Sequence, residues 1–380
     1  MRASFRLGRI AGVPVGVNWS VVVIFALIAW ALAASLFPHS YPGYSTFAYV
    51  LAGLAASVVF FGGLLAHELA HSVVAKRNGI EVEDITLWLF GGVSKLKGEA
   101  KDPGAELRIA GVGPLVSLLI GIFFGVIAAL VGLTGGRGLL LGVLSWLAGI
   151  NILLAIFNVL PAAPLDGGRL LRAVVWRATG DRTKASVVAA RAGWGLGILL
   201  IAVGLWQFLR GAGIGGLWLA LIGWFLIGAA SAEERQARMG SALQGVRVGD
   251  VMTPQPQTVS GELTVADFVD HYLFAYRHTA LPLAEDGRPV GLVTLDRVRG
   301  IPADQRATTT LASVACRADD LVLARPEEQL TDLLPRLSQC ADGRALVVSD
   351  QGLVGIVSPS DISRAVQHGN MRDQMAPGHR

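Results

Sequence analysis

Val58-Val59-Phe60-Phe61-Gly62-Gly63-Leu64-Leu65-Ala66-His67-Glu68-Leu69-Ala70-His71 is the stretch on which the reading of this chain turns. It closes an apolar run. From Ile10 to Ala66 there is no Lys, Arg, Asp or Glu, so Glu68 is the first carboxylate in the chain. His-Glu-x-x-His on a helix is a zinc-ligating and general-base pattern, because residues four apart lie about 40° apart around the helix and share one face. An ionisable residue at membrane depth marks a candidate functional site. Alone, the five-residue pattern also fits soluble helices whose buried His pair merely bonds to backbone.

The rest of the sequence supplies the bilayer. Of 380 residues 53% are hydrophobic and 16% charged, which excludes an ordinary soluble domain. The mean hydropathy of +0.54 agrees. A net charge of +4 with no basic-aromatic stripe argues against nucleic acid as a partner and for Lys and Arg anchoring helix ends. Stretches long enough to span fall near residues 18–37, 48–75, 107–133, 138–160, 187–209 and 214–231. The first is expected to be an uncleaved span. Counted over alternate connecting segments, Lys and Arg number fifteen on one side and two (Arg137, Arg210) on the other. That bias puts the N-terminus, the His71 end of span two and everything after span six in the cytoplasm of a multi-pass protein of the cell membrane.

Between spans two and three, Ile85-Thr86-Leu87-Trp88-Leu89-Phe90-Gly91-Gly92-Val93-Ser94-Lys95-Leu96 is β-rich and broken by two glycines. It is too apolar for a solvated loop and predicts a re-entrant hairpin buried against protein. Glycines 111, 113, 121 and 125 in span three predict close helix packing. After Ala232 the chemistry changes. A charged linker at 233–245 leads into two similar blocks within 246–367, each ending in a strand, a small hydroxyl residue and a helix start. They predict a paired soluble α/β module, followed by a polar, disordered tail at 368–380. Residues 1–232 form the membrane domain. Cys316 and Cys340 make no CxxC and no disulfide framework, which fits a reducing compartment.

A catalytic zinc takes three protein ligands and leaves one position for water. The only other histidine of the membrane half, His39, falls on the opposite side. Between Glu106 and Asp181 the only carboxylate is Asp166. It lies in Asn158-Val159-Leu160-Pro161-Ala162-Ala163-Pro164-Leu165-Asp166-Gly167-Gly168, at the membrane level of His71, where prolines end the helix and glycines admit close backbone approach. Asp166 is therefore the expected third ligand, ahead of Glu81, Glu83 and Asp84 in a polar turn. Glu68 is placed to take a proton from water activated by the metal, and the amide of Asn158, or less favourably Asn151, to stabilise the oxyanion. An acidic residue at membrane depth costs about 2.5–3.5 kcal/mol on insertion scales, so a cluster at one level is hard to explain by packing alone.

These two motifs together resemble the site-2 protease family of intramembrane zinc metalloproteases, over residues 1 to about 230. The resemblance implies one zinc per chain on His67, His71 and Asp166, Glu68 as base and Asn158 as a substrate or transition-state contact. It implies substrate pairing along the hairpin at Gly91 and Gly92, and a small-residue patch at Gly113 and Ser117 near the site. Residues 246–367 resemble a tandem pair of CBS domains, so the whole is similar to the six-span branch with a C-terminal CBS pair. That implies an adenine nucleotide at Ser358 and Asp361 of the second repeat. The first repeat has Thr294 but Arg297 where the Asp would stand. A purely structural or dimerising module fits as well. The expected partners are single-span or pre-cleaved transmembrane substrates, the bilayer and a second copy through the CBS pair. Rival readings are a CBS-regulated channel or transporter, whose ionisable residues would line several spans rather than one level, and an inactive protease-like scaffold.

Overall fold

The computed structural model describes residues 4–88, 91–211, 213–272, 279–285, 288–337 and 339–375. It divides into two compact units, Met1–Arg235 and Gln236–Arg380. Among the described residues six helices are long and apolar enough to cross a bilayer. They are α1 (Ser20–Ser40), α2 (Thr46–Arg77), α3 (Pro103–Leu133), α4 (Leu139–Val159) and, after the shorter α5 (Asp166–Thr179), α6 (Arg182–Leu209) and α7 (Ile214–Ala242). Outward residues such as Phe47, Leu133 and Leu209 are 76–84% exposed, an arrangement that only lipid tolerates on this scale. The expected membrane fold of six spans is therefore the observed one.

Helix starts follow local capping rather than hydropathy. Asp102 accepts from the Ala105 amide ahead of Pro103, and Asp181 accepts from the Lys184 amide. These caps draw α3 and α6 several residues upstream of their apolar cores. At the other end, α7 runs through the charged segment to Ala242. Glu233-Glu234-Arg235-Gln236-Ala237-Arg238 are good helix formers, and no glycine or proline interrupts them.

Strands β1 (Phe5–Ile10), β2 (Val13–Val17), β3 (Glu81–Trp88) and β4 (Gly91–Lys97) form one sheet in that order. The hairpin read at 85–96 is β3–β4, with Ile85 opposite Ser94 and Leu87 opposite Gly92; Leu89 and Phe90 of its tip lie outside the described residues. The N-terminal hairpin beside it was not foreseen. Val13, Val15 and Val17 alternate as a strand should, but the pattern is short and runs directly into the apolar span read from residue 18. Val15 to Val17 pair in parallel with Ile85 to Leu87, and Val13 and Ile85 are fully buried. The sheet is thereby anchored against the end of α2 through Ala75 and Ile80.

In the second unit β6 (Ala280–Glu285), β7 (Arg288–Thr294) and β8 (Cys316–Arg317) make one sheet. The other contains β5 (Thr253–Pro254), β9 (Leu323–Ala324), β10 (Ala345–Ser349) and β11 (Gly352–Val357). Each sheet has its own apolar core, around Leu281, Leu283 and Val293 in one and Leu330, Val347 and Val357 in the other. In each, the last strand feeds a helix: α8 (Leu295–Arg299) after β7, and α9 (Pro359–Met375) after β11. Two expectations are corrected. The tail read as disordered from 368 is helical to Met375, because Gly369 lets α9 cross the Ala242 carbonyl where a Cβ would stand 2.2 Å away. Residues 376–380 lie outside the described residues. Cys316 and Cys340, read as unpaired, are joined in a disulfide with Cα atoms 5.6 Å apart. The chain folds back 24 residues later to bring them together, which no sequence spacing announces.

Candidate metal centre

One turn of α2 and the first residue of α5 converge. His67 is 3% and His71 7% exposed. His67 Nε2, His71 Nε2 and Asp166 Oδ2 form a triangle with every edge 3.1 Å. Tetrahedral zinc with bonds of about 2.0–2.2 Å separates its ligand atoms by roughly 3.3–3.5 Å. The triangle is thus a few tenths of an ångström short of a three-ligand face, and the residues fit the metal. Among the described residues this is the one cluster of His, Cys, Asp or Glu side chains with such geometry.

Neighbours fix the rings from behind. His71 Nδ1 lies 2.6 Å from the Ile109 carbonyl, to which it can only donate, and His67 Nδ1 lies 2.9 Å from Ser117 Oγ. Both contacts turn the Nε2 atoms toward Asp166, and the Ile109 carbonyl fixes the His71 tautomer that leaves its Nε2 free as a ligand. Gly113 explains how α3 can come so close. A Cβ there would stand 2.1 Å from His71 Nε2 and 2.6 Å from His67 Nε2. Gly113 and Ser117 therefore shape the His pair. Ser117, fully buried, does not face an open groove.

Asp166 owes its place to the turn that precedes it. Leu160 and Pro161 end α4, and the chain folds so tightly that a Cβ on Gly167 would meet the Leu160 carbonyl at 2.1 Å. On Gly168 it would meet the Ala163 nitrogen at 2.4 Å. Burial works against ionising the Asp166 carboxyl, but hydrogen bonding and charge from the two His rings outweigh it and hold the group well below the usual carboxylate range.

Glu68 is half-buried under β4. A Cβ on Gly92 would lie 2.2 Å from its Cγ, and Ser94 Oγ donates to its Oε2 at 3.3 Å. Gly92 thus lies over the carboxylate, whereas a Cβ on Gly91 would meet open space. Asn158 is half-buried, with its amide nitrogen donating to the Leu154 carbonyl of its own helix at 3.0 Å. Asn151 is deeper, 1% exposed, donates likewise to Leu147, and leaves its oxygen without a partner among the described residues. Glu81, Glu83 and Asp84 sit on β3 and take no part in the triangle.

Charges that hydropathy alone treats as helix anchors also meet near this centre. Glu106, 1% exposed in the first turn of α3, accepts from Arg169 Nε at 2.9 Å and from Arg172 Nη2. Arg172 also reaches Glu233 of α7 at 3.3 Å. The i, i+3 spacing of the two arginines was the one sequence signal of this cluster.

In the second unit a cavity of about 510 Å³ is lined by Thr253, Gln255, Thr279, Arg344, Ser358 and Asp361. Asp361, 4% exposed, caps α9 by accepting from the Ser358 amide at 3.0 Å. At the matching position of the first repeat, Arg297 donates to the carbonyls of Val314 (3.0 Å) and Cys340 (3.2 Å). Thr294 is buried there, with no partner for its hydroxyl among the described residues.

Residues 55–141 and 136–202 match the model of Peptidase family M50, and residues 248–303 and 315–368 each match that of the CBS domain. Over 368 residues the chain is 46% identical to Rip3 of Mycobacterium tuberculosis, a protein named as a zinc metalloprotease, covering 96% of this chain and 93% of that one. A Synechocystis protein, also named as a zinc metalloprotease, is 30% identical over 97% of this chain and 96% of its own. Of solved structures, the site-2 protease of Methanocaldococcus jannaschii aligns at 29% identity and a TM-score of 0.43, over 61% of this chain and 95% of that one.

Proposed function

This chain belongs to peptidase family M50, the site-2 proteases, and carries a pair of CBS domains; from that premise we propose how its own residues act. It is a zinc metalloprotease of the membrane. His67, His71 and Asp166 hold one zinc ion, and the observation that carries this reading is their 3.1 Å triangle at the junction of α2 and α5. Bound zinc supplies a Lewis acid for the scissile carbonyl and lowers the pKa of water to about 7.

Glu68 is the general base. It takes a proton from the attacking water as the new C–O bond forms and returns it to the leaving amine nitrogen as the C–N bond breaks. Its place on the same turn of α2 as His67 and His71, shielded by Gly92, supports this role. Asn158 contacts the oxyanion after releasing the Leu154 carbonyl. The substrates are transmembrane segments, single-span or already shortened, which unwind and add as a strand beside the hairpin at Gly91 and Gly92. Cleavage takes place near the cytosolic face, with the N-terminus and the CBS pair in the cytoplasm. The fifteen-to-two division of Lys and Arg supports that orientation.

The CBS pair binds one adenine nucleotide, on the side of Ser358 and Asp361, and regulates access to the site. Supporting this asymmetry, Arg297 commits its guanidinium to two backbone carbonyls at the other position. The pair also joins two copies of the chain. The test of the proteolytic reading is a comparison of membrane-protein fragments in cells carrying wild type or Glu68→Gln. Fragments truncated at the cytosolic end of a span should accumulate only with wild type. Identical fragment sets, or ion flux through liposomes that survives Glu68→Gln, would favour a scaffold or a transporter.

A further inference from the structure

Glu106 and the three charges grouped with it, Arg169, Arg172 and Glu233, have a geometry that mere anchoring does not need. Glu106 is almost completely buried, yet it sits on α3, while both of its partners sit on α5, three and six residues beyond Asp166. A buried carboxylate with two guanidinium donors is held in one place, since any shift leaves a charge uncompensated. Arg172 then turns its other nitrogen to Glu233 on α7. Two spans therefore grip one short helix through two arginines. That helix starts at Asp166, and no side chain caps its N-terminus among the described residues.

We propose that Glu106, Arg169 and Arg172 are positioning residues for the metal ligand Asp166, and that Glu233 couples the last span to them. This rests on the zinc-site reading above and extends it to what sets the site. The lever is short: six helical residues put Arg172 about 9 Å along the axis from Asp166. Metal sites tolerate distance errors of about 0.2 Å, so a small tilt of α5 removes Asp166 Oδ2 from ligand distance while the His pair on α2 stays put. Arg172 is the shared element. Its Nη2 serves Glu106 and its Nη1 serves Glu233, so the position of α7 enters the balance of forces on α5. α7 is also the covalent route by which the chain leaves the membrane unit, continuing as helix to Ala242.

The experiment uses the purified full-length chain in detergent. Zinc dissociation constants are measured by competition with a chromophoric chelator. Visible spectra of the cobalt-loaded protein report the ligand geometry, and thermal melting checks the fold. Arg172→Met should weaken zinc 10- to 100-fold, the usual cost of losing a residue that orients a ligand. It should also shift the cobalt bands toward those of Asp166→Asn. The triple variant Glu106→Leu/Arg169→Met/Arg172→Met replaces the buried charges with apolar groups of similar volume, an exchange that folded proteins commonly accept. It should melt near wild type and still show the same loss. Glu233→Gln leaves both Glu106 contacts in place and should weaken zinc by about threefold to tenfold. Zinc affinity and cobalt spectra unchanged in folded Arg172→Met or the triple variant would overturn the positioning role, and an unchanged Glu233→Gln would overturn the coupling to α7. If Asp166→Asn itself leaves the zinc constant and spectrum at wild-type values, the zinc-site reading has failed, which is a different result.

Discussion

Gly113→Ala adds a single methyl group and should remove the metal. The glycine is buried in α3 against both imidazoles, and the new Cβ would lie 2.1 Å from His71 Nε2 and 2.6 Å from His67 Nε2. Side-chain carbons do not approach other heavy atoms within about 3.0 Å, so His71 must retreat by about 0.9 Å and His67 by about 0.4 Å, or α3 must move away. Both displacements exceed the roughly 0.2 Å that a metal site accepts. His71 cannot swing freely either, because Nδ1 is tied to the Ile109 carbonyl on the same α3 that carries the methyl. The expected cost is at least 100-fold in zinc affinity, or about 2.7 kcal/mol. Helix formation itself favours alanine over glycine by about 0.5–1 kcal/mol, which works against unfolding as the cause. Gly111→Ala is the matched control, because its Cβ would meet nothing nearer than Leu170 at 3.8 Å. The assay is zinc per chain by atomic absorption, with the dissociation constant from chelator competition. A Gly113→Ala protein that keeps one zinc within threefold of the wild-type constant would refute the claim that both rings converge beneath this residue.

Gly92→Ala should cut proteolysis 10-fold or more while zinc content stays at wild type, because its Cβ meets Glu68 rather than the His pair; metal loss would place the strand elsewhere. Ser117→Ala frees the His67 ring from its 2.9 Å partner and should weaken zinc about 10-fold, read by the same competition assay. Equilibrium dialysis with ATP should give one nucleotide per chain, abolished by Asp361→Ala, and that variant should also lose about 1 kcal/mol of CBS-module stability through the lost α9 cap. Two nucleotides per chain would mean that Arg297 does not fill the first-repeat position.

What could be read from the sequence was what is local or scarce. His67, Glu68 and His71 stand at helical spacing on one element, so their common face follows from the turn of the helix. Asp166 could be chosen because carboxylates are so rare in the apolar half that few others compete. The positions of the spans followed from their length and hydropathy; their ends moved where Asp102 and Asp181 cap the helices and where α7 runs on through the charged segment to Ala242. What stayed hidden depends on contacts between distant segments of ordinary residues. The Ile109 carbonyl that orients His71 has no sequence signal at all, since every residue has a carbonyl. Gly113 read as a packing glycine, and only the fold brings the two rings above it. Glu106 was a boundary mark in a list of carboxylates until α5 delivered Arg169 and Arg172 to it. The hairpin at Phe5–Val17 went unread because its second strand offers only three alternating valines, Val13, Val15 and Val17, directly before the first span at 18–37.

The central claim is that one zinc is held jointly by α2 and the start of α5. Zinc K-edge X-ray absorption on the purified full-length chain, alongside Asp166→Ala, tests it most directly. The account predicts one zinc per chain with two imidazole ligands and two oxygen ligands in wild type, one oxygen from Asp166 and one from water. It also predicts reduced zinc content in Asp166→Ala, with the carboxylate contribution gone from whatever metal remains. An unchanged spectrum and stoichiometry in Asp166→Ala would contradict it and move the third ligand to another residue.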